Sequence, residues 1–465
     1  MPVTADRVLA VAKLLKGFAP RENLSLADYL KAIPRQESLA DVASGTPVLV
    51  RGDVDAKVGP NLGDGDIRLR SMKETLEFGR RKGWKQVIFG HLGRKEKDKP
   101  IGSLAKVAKR IGLILGCEVP LIEDWLDEAT SVVKDHVRQT AATAPAGSVL
   151  VLQNVRAYDI ETVLWKAKED GLPALAPKLA TFANSLAEKV GSVYVNEALS
   201  AGSLDSLSTI VPLSMQRVAL GKYVAGEFEG PMMDCLKAKL VVFSGIKIDK
   251  LDDLEAMIAR GTIRTIFSAG SLAMALKKAA AQLDGKDFCL GVAEDPAHKD
   301  KPYYIPPERI DQAKRMVAAA KKQGIELVLP VDFVLSDGRV VSEMKPGDQQ
   351  FDIGPATTKL FEQKVGEFIA ANKGTGAAVF HNGVFGMFED SRYESGTKAF
   401  IAQLKRMKDA GLNVYVGGGE GGTALEKYGQ PDWVTHCFTA GGTVLNALGS
   451  EPVPYLLALR EAVRS

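Results

Sequence analysis

Short runs of consecutive apolar residues recur along the whole chain. In the first half these runs are PVLVRG from Pro47, QVIFGH from Gln86, SVLVLQ from Ser148 and SVYVNE from Ser192. The second half adds KLVVFSG, RTIFSAG, IELVLPVD, AAVFHNG and NVYVGGG. Each run is apolar on successive residues rather than on alternate ones, which is typical of strands buried on both faces of a parallel sheet.

Stretches with helical spacing separate these runs. Phe361, Val365, Phe368 and Ile369 fall on one face of a predicted helix. The helix in DQAKRMVAAAKKQG is predicted to end at Gly324, because glycine is the usual residue at a left-handed helix C-terminus. The alternation of strands and helices over the whole length predicts an α/β fold with open, doubly wound sheets.

About ten strands are too many for one ordinary sheet of this kind, so the pattern predicts two Rossmann-like lobes with parallel sheets. The segment VALGKYVAGEFEGPMMDCLKA has helical apolar spacing and few turn signals, which predicts a hinge helix joining the lobes. The predicted parts are an N-terminal helical extension (1–40), a first lobe (41–217), the linking helix (218–238), a second lobe (239–445) and a segment that returns to the first lobe (446–465).

Composition narrows the functional classes. The 465 residues contain 60 Lys and Arg against 57 Asp and Glu, a net charge of +3 that argues against a nucleic-acid partner. The cysteines lie far apart without a CxxC pair, which argues against disulfides and a structural zinc site; they are Cys117, Cys235, Cys289 and Cys437. No apolar run reaches the roughly 18 residues that span a bilayer, and no secretory signal is visible. We therefore expect a soluble cytoplasmic protein without a membrane partner.

Charged side chains follow three strands of the first lobe at the point where each strand ends. In an open α/β sheet such positions converge on one edge, where ligands bind. Three strand ends each deliver an arginine, which predicts a site for a small acid carrying phosphate or carboxylate, with solvated surface arginines as the weaker alternative. The residues concerned are Arg51, Asp53, Asp55, His91, Arg94 and Arg156, together with Arg68 and Arg70 on the helix after the first loop.

The strand ends of the second lobe are rich in glycine instead. They read FSGIK, FSAGS, FHNGVFG and YVGGGEGG, with Lys247 just after the first. Glycine lets the backbone approach a phosphate and present N–H groups at a helix N-terminus, so four such loops predict a nucleotide site, although any one alone is an ordinary tight turn.

Several other enzyme classes are excluded by missing motifs. The sequence contains no GxxxxGK[ST], HRD or DFG motif, which excludes P-loop enzymes and protein kinases. Its five histidines form no Ser/His/Asp grouping that could support acyl transfer. A nicotinamide oxidoreductase on Rossmann lobes is not excluded but stays a distant alternative, because it needs GxGxxG after an early strand and an acidic residue further on, and VRGDVDAK offers neither.

At these strand ends the sequence resembles the phosphoglycerate kinase family. The resemblance runs from about residue 40 onward and rests on eleven motifs in order: VLVRGDVD, IRL, GHLGR, QNVR, VYVNEA, SGIK, LPVDFV, DIGPATTKLF, HNGVFGMFE, VGGGEGGTALEKYG and TAGGTVLNAL. It implies a two-lobed kinase that closes about its hinge. The implied reaction is reversible phosphoryl transfer between 1,3-bisphosphoglycerate and ADP, giving 3-phosphoglycerate and ATP in glycolysis, with Mg²⁺ bound to the nucleotide and a monomeric enzyme.

The resemblance also implies a role for each matching residue. In the first lobe it implies that the acid and its phosphate are bound by Asp53, Asp55, His91, Arg94 and Arg156, and that the transferred phosphoryl group is steadied by Arg68. In the second lobe it implies that the nucleotide and the transferring group are held by Lys247, Asn382, Gly383, Glu389, Gly418, Gly419, Gly441 and Gly442, with Glu420 holding the magnesium through the nucleotide.

The sequence departs from the family pattern at several of these positions. Leu204 stands where the family has an arginine, and Leu251 where it has a second lysine, although Lys250 could substitute by a small shift. A glycine triplet has become Ser268-Ala269-Gly270, and a proline has become Val384. Each lost charge-assisted contact should cost about 1.5–3 kcal/mol. The sequence therefore leaves two alternatives: a phosphoglycerate kinase, or a weak, silent or substrate-shifted paralogue with a binding or regulatory role.

Overall fold

The consecutive apolar runs of the sequence form two separate six-stranded sheets in which every strand pairs in parallel with its neighbours. The structure, a computed structural model, describes residues 2–94 and 100–464. The chain divides into unit 1, which comprises Met1–Glu229 and Pro452–Ser465, and unit 2, which comprises Gly230–Glu451. The predicted α/β fold with two parallel sheets is confirmed.

Within the described part of the chain, unit 1 contains eight strands and, in its first segment, nine α-helices. The strands are β1 (Pro47–Gly52), β2 (Lys85–Phe89), β3 (Leu121–Ile122), β4 (Leu126–Asp127), β5 (Val132–Val133), β6 (Val149–Leu152), β7 (Val193–Glu197) and β8 (Arg217–Leu220). The helices are α1 (Ala5–Lys16), α2 (Leu26–Ala32), α3 (Ile67–Ser71), α4 (Lys73–Arg81), α5 (Ala105–Leu115), α6 (Asp135–Thr143), α7 (Leu172–Lys189), α8 (Ser206–Thr209) and α9 (Lys222–Glu227). The sheet order is β3-β6-β2-β1-β7-β8, and β4 and β5 form a small pair.

The register of this sheet aligns the ends of its central strands. Arg51 of β1 lies opposite Phe89 of β2 on one side and Asn196 of β7 on the other. Val48 and Leu49 of β1 are fully buried, as expected of a strand covered on both faces. The residues that directly follow β1, β2 and β7 therefore reach the same edge of the sheet.

Unit 2 contains the second parallel sheet and a small antiparallel one. The strands are β9 (Leu240–Phe243), β10 (Thr265–Phe267), β11 (Glu326–Val328), β12 (Phe333–Leu335), β13 (Val340–Val341), β14 (Gln350–Ile353), β15 (Ala378–Asn382), β16 (Asn413–Gly417) and β17 (His436–Cys437). The helices are α10 (Met233–Cys235), α11 (Lys250–Ala259), α12 (Gly270–Leu283), α13 (Pro307–Gln323), α14 (Pro355–Asn372), α15 (Ser395–Asp409), α16 (Gly419–Tyr428) and α17 (Gly441–Leu448). The orders are β11-β10-β9-β15-β16-β17 and β13-β12-β14.

An aromatic core lies under the second sheet. Phe361, Val365 and Phe368 of α14 are buried and Ile369 is partly buried against them, as their spacing predicts. The ring of Phe361 packs edge-on against Phe267 of β10 at 5.2 Å. The predicted end of α13 is also confirmed, because Gly324 adopts the left-handed conformation with φ 68°.

The structure differs from the predicted linking helix over 218–238 at its beginning. Val218–Leu220 belong to β8 and pair in parallel with β7, and Gly221 separates them from α9. The helical part continues through a π-helical turn at Phe228–Met232, which contains Pro231, into α10. A run of apolar residues fits an edge strand as well as a helix, and the partner strand β7 decides between the two.

One apolar run leads from the parallel sheet of unit 2 into the antiparallel one, and one helix returns to unit 1. IELVLPVD provides β11 of the parallel sheet, and the chain then turns into β12 of the antiparallel sheet. The last helix, α18 (Pro454–Val463), belongs to unit 1, where Tyr455 packs edge-on against Phe228 at 6.1 Å. The boundaries proposed from the sequence for the five parts of the chain stay predictions.

None of the described helices combines the length and the apolar character that a membrane crossing requires.

Candidate active site

Asp53 follows β1 directly, and its carboxylate is buried at the carboxyl edge of the first sheet. Ser200 donates to it twice, through Oγ at 2.6 Å and through its backbone N–H at 3.3 Å. Burial raises the pKa of Asp53, and the Arg68 guanidinium, whose Nη1 lies 3.8 Å from Oδ1, opposes that rise. The carboxylate of Asp53 is therefore held in one orientation.

Arg68 extends from α3 toward the same edge. Its Nη1 donates to the backbone oxygen of Asp55 at 3.0 Å and lies 3.4 Å from the Asp55 carboxylate. That carboxylate accepts from the backbone N–H of Gly93 at 3.0 Å, which ties the loop after β1 to the loop after β2. About a quarter of the Arg68 side chain is exposed (26%), so its guanidinium is accessible to a ligand.

The second arginine of α3 has a different partner. Arg70 donates through Nε to Asp66 at 2.7 Å, and its side chain is half exposed. Asp66 also accepts a hydrogen bond from the buried Arg110, so Arg70, Asp66 and Arg110 form a separate ion-pair group. The sequence suggested Arg70 as a replacement for the missing family arginine, and the structure places it in this separate group instead.

Arg51, at the end of β1, is fully buried within a network of side chains. Its Nε donates to Ser208 Oγ at 3.0 Å, and its Nη2 donates to Asp205 Oδ2 at 3.2 Å. The same Nη2 lies 3.0 Å from His91 Nδ1. Since a guanidinium can only donate, Nδ1 accepts and the proton of neutral His91 lies on Nε2. Burial, followed by repulsion from Arg51, holds the pKa of His91 well below its ordinary value.

Arg156 approaches the same network from the end of β6. Its Nη1 donates to the backbone oxygen of Gly93 at 2.5 Å, and its Nη2 lies 3.6 Å from Asp205 Oδ2. The guanidinium also stacks over the Trp165 ring at 5.0 Å. Its Nε is buried without a hydrogen-bond partner. Arg156 is thus a buried cation with unused donor capacity.

Glu161 is the last member of the buried network around Arg51, and its Oε1 lies 3.6 Å from Arg51 Nη2. It is fully buried, and its Oε2 accepts from the backbone N–H of Leu207 at 2.9 Å. Burial, and then repulsion from Asp205, raises the pKa of Glu161 to about 8. Glu161 therefore takes up a proton more readily than an exposed glutamate does.

The structure thus brings together five of the six residues predicted for the first site: Asp53, Asp55, Arg68, His91 and Arg156. The sixth, Arg94, is exposed and acts on His91 through its charge. Sequence reasoning gave no role to Arg51 beyond its position, and it missed Asp205 and Glu161 altogether. Asp205 follows Leu204 directly, so the signal was an acidic residue beside the position where an arginine is missing.

At the corresponding edge of the second sheet the backbone of several loops comes into close contact. Gly383, after β15, has φ +95°, and a Cβ there would lie 2.1 Å from the Ser244 backbone oxygen. A Cβ on Gly441 would lie 2.5 Å from the Cα of Gly418. The helices α12, α16 and α17 all begin at such glycine loops. Their N-terminal N–H groups and helix dipoles favour an anion at this edge.

Asn382 and Lys250 form the polar centre of this edge. Asn382 Nδ2 donates to the Gly417 backbone oxygen at 2.9 Å, which joins the ends of β15 and β16. Lys250 Nζ donates to Asn382 Oδ1 at 3.0 Å and to the Ser244 backbone oxygen at 3.1 Å. Burial lowers the pKa of Lys250. Its neighbour Leu251 is fully buried, and Lys250 is the residue whose side chain reaches this edge.

Lys247 lies in the turn between β9 and α11. It is exposed, and its charge acts on Lys250. The sequence selected Lys247 as the nucleotide-binding lysine, whereas the structure places Lys250 in direct contact with Asn382. The role of Lys247 stays a prediction.

A cavity of about 210 Å³ opens beside these residues. Its walls include the predicted residues Glu389 and Glu420, together with Gly245, Phe351 and Tyr303. Glu420 lies exposed in the first turn of α16. Gly419 and Gly442 have no neighbour where a Cβ would project, so they leave this edge open.

Comparisons with known proteins agree with this arrangement. The family model for phosphoglycerate kinase matches residues 39–451. A cytosolic phosphoglycerate kinase of Triticum aestivum is 28% identical over 90% of this chain and 96% of its own length. Phosphoglycerate kinase 1, chloroplastic, of Arabidopsis thaliana is 27% identical over 92% of this chain and 83% of its own length.

Solved structures show the same fold. The phosphoglycerate kinase of Pyrococcus horikoshii OT3 matches with a TM-score of 0.67 at 23% identity, over 93% of this chain and all of that one. The enzyme of Coxiella burnetii matches with a TM-score of 0.64 at 21% identity, over 90% of this chain and 98% of that one. Since the family model covers most of its length, this chain belongs to the phosphoglycerate kinase family.

Proposed function

We propose that the protein transfers a phosphoryl group reversibly between a magnesium-bound adenine nucleotide and the carboxylate of a small acid. The observation that supports this most directly is that each parallel sheet has groups that favour anions at the carboxyl ends of its strands. Unit 1 presents Arg68 and Arg156, and unit 2 presents Lys250 and helix N-termini. The relatives are named phosphoglycerate kinases, so 1,3-bisphosphoglycerate with ADP, and 3-phosphoglycerate with ATP, are the substrate pairs to test first.

The proposed reaction needs no general base. The acceptor carboxylate is ionised near neutral pH, so no base has to remove a proton. In-line positioning and neutralisation of charge are the main requirements of such a transfer. Arg68 would steady the transferred group, while Asp53 and Asp55 would orient the acid and its hydroxyl groups.

In unit 2 we propose that the glycine loops and Lys250 hold the phosphates of the nucleotide, with Lys247 nearby. Asn382 and Gly383 would contact the phosphates, and Glu389 the ribose. This proposal extends to the remaining predicted residues, namely Gly418, Gly419, Gly441 and Gly442.

Glu420 suits a nucleotide-bound Mg²⁺. Magnesium in such enzymes is usually held by one or two carboxylates together with substrate phosphates, and Glu420 offers one carboxylate at the wall of the cavity. When bound, the ion would neutralise charge on the transferring phosphates.

The domain roles belong to the same proposal. We propose residues 41–217 as the acid-binding lobe, 239–445 as the nucleotide-binding lobe, and 218–238 as the hinge about which they close. A cytoplasmic, monomeric enzyme is also proposed, supported by the relatives that are named cytosolic.

Formation of an acyl phosphate is the decisive experiment. Purified protein with MgATP and 3-phosphoglycerate or glycerate should form a product that hydroxylamine traps as a hydroxamate, and EDTA should abolish it. Arg68→Ala serves as the matched variant that should lose turnover while still binding MgADP. Binding of MgADP without any transfer would contradict the proposal and favour a silent paralogue with a binding or regulatory role.

A further inference from the structure

Asp205 occupies the centre of the basic group in unit 1. Its Oδ2 lies 3.2 Å from Arg51 Nη2, 3.6 Å from Arg156 Nη2 and 3.5 Å from His91 Nδ1. Its Oδ1 accepts from Trp165 Nε1 at 3.0 Å and from Ser203 Oγ at 3.1 Å. Asp205 itself is fully buried. One carboxylate of the chain therefore has the surroundings that a bound anion would have.

The partners of Asp205 are fixed by other parts of unit 1. Arg51 Nε is held by Ser208, and Arg156 Nη1 by the Gly93 backbone oxygen. Both guanidinium groups are buried, so neither can turn away into solvent. Ion pairs that have left solvent are lost only at a high cost. An incoming anion would therefore have to compete with a partner that is already in place.

A metal ion is the first alternative for this cluster. Ligand atoms of His91, Glu161 and Asp205 all lie within 4.8 Å of one another. However, Nη2 of Arg51 lies 3.0 Å from His91, 3.2 Å from Asp205 and 3.6 Å from Glu161. A metal ion on these ligands would face a guanidinium group at contact distance. The cluster therefore suits an internal ion pair and not a cation site.

The charge around the cluster matches a singly charged acid. Among the described residues, the guanidinium groups of the edge are those of Arg51, Arg68, Arg94 and Arg156, and the facing carboxylates are those of Asp53, Asp55 and Asp205. These described groups leave an excess of at most one positive charge, because the fully buried Glu161 adds a further negative charge whenever it is ionised. An acid that also bears a phosphate ester carries about three negative charges. Such an acid carries more negative charge than these described groups offset.

We propose that Asp205 fills the anion position of unit 1 and thereby selects acids whose tail is uncharged and hydrogen-bonding, rather than acids whose tail is a phosphate. The inference rests on the proposed function for the reaction at the carboxylate, and it names the substrate class. Arg68 and Asp55 keep the roles given to them in the proposed function, Arg68 toward the transferred group and Asp55 toward a hydroxyl group of the acid.

The test compares two acids that differ only in the tail. Calorimetry measures dissociation constants for 3-phosphoglycerate and for glycerate, which carries a hydroxyl group in place of the phosphate. The native protein should bind glycerate at least as tightly as 3-phosphoglycerate. Asp205→Asn keeps the acceptor for Trp165 and removes the charge, so it should bind 3-phosphoglycerate at least tenfold more tightly while changing glycerate affinity less than threefold.

Two results would overturn the proposal. One is a native protein that binds 3-phosphoglycerate at least tenfold more tightly than glycerate. The other is an Asp205→Asn variant that folds and leaves the ratio of the two constants unchanged. If Asp205→Asn does not fold, Leu204→Arg takes its place: it adds a positive charge beside the same carboxylate and should move the ratio in the same direction.

The control variant is Ser203→Ala, which removes one donor to Asp205 but leaves every charge in place; it should not change the ratio. Fluorescence of Trp165, which contacts both Asp205 and Arg156, reports anion entry independently. The hydroxamate assay, run on the same samples, separates the two hypotheses. If the ratio of the two dissociation constants changes as expected but no phosphoryl transfer occurs, only the proposed function is wrong. If both acids are phosphorylated and Asp205→Asn leaves the ratio unchanged, only the role of Asp205 is wrong.

Discussion

The two candidate sites differ in the groups that form them: charged side chains in unit 1 and mainly backbone groups in unit 2. The site of unit 1 consists of buried charged side chains, in which Asp205 offsets part of the positive charge of Arg51 and Arg156. The site of unit 2 consists mainly of backbone, brought together by glycines such as Gly383 and Gly441. A backbone site keeps its donors when side chains change, whereas a site of buried charges changes its preference with one substitution. We therefore expect the departure at Leu204 to change ligand preference in unit 1 more than the departures at Leu251 and Val384 change it in unit 2.

The largest effect should follow from closing the backbone contact in unit 2. Gly383→Ala places a Cβ against the Ser244 carbonyl at a positive φ, so we expect a loss of about 3 kcal/mol or more in the free energy of unfolding and no measurable MgADP binding. Urea unfolding and calorimetry measure both. The control is Gly338→Ala, which shares a positive φ without any neighbour within 4 Å and should lose only about 1 kcal/mol. Equal losses in the two variants would contradict the close-contact explanation.

The second effect is a pH dependence of the stability of unit 2. His381, just before Asn382, is fully buried and stacks on Phe400 at 5.8 Å; burial lowers its pKa to about 4. The unfolded chain binds this proton near pH 6.5 and the folded chain only near pH 4, so stability is lost as pH falls through this window, by up to about 3 kcal/mol.

His381→Phe keeps the aromatic packing and removes the titrating group. Unfolding free energies measured between pH 7.5 and pH 4 should therefore fall less steeply in this variant than in the native protein. Parallel pH profiles for the two proteins would show that His381 does not titrate as described.

Arg68 and Arg70 provide a matched pair in unit 1. Arg68→Ala should lower kcat by about a hundredfold with little change in KM, because the guanidinium would stabilise charge that develops during transfer. Arg70→Ala removes a half-exposed arginine paired with Asp66 and should leave kcat nearly unchanged. The measurement is steady-state kinetics with whichever of 3-phosphoglycerate and glycerate is phosphorylated faster. An increase in KM alone for Arg68→Ala would assign it to substrate binding instead.

The smallest effect should separate the two lysines of unit 2. Lys250→Ala removes a partly buried donor to Asn382 and should weaken MgADP binding by about tenfold. Lys247→Ala removes an exposed charge and should weaken it less. Calorimetry on both variants is the measurement. Unchanged affinity in Lys247→Ala would leave Lys250 as the functional lysine, and unchanged affinity in both would remove lysine from the nucleotide site.

Nine strands of the two parallel sheets could be predicted from the sequence because each lies in a continuous apolar run. The order of the strands and three of the edge strands, β3, β8 and β17, were not predicted. The positions of Asp53, Asp55, His91 and Arg156 at one edge followed from parallel pairing alone. The pairing of Arg51 with Asp205 could not be predicted, since 154 residues separate them and only the fold brings them within 3.2 Å. The contact of Lys250 with Asn382 could not be predicted either, because Lys247 lies in the turn before α11 whereas Lys250 is the first residue of that helix.

Unit 2 interrupts unit 1 along the chain, and this has a consequence for biosynthesis. Helix α18 completes unit 1, where Leu456 and Leu459 are buried and Arg460 lies over Tyr29, yet it is synthesised after all of Gly230–Glu451. Because a chain emerges from its N-terminus and domains fold as units, unit 2 can fold completely while unit 1 still has an uncovered face. The glycine-built site is therefore expected to mature first on the ribosome, although the charged site is encoded before it.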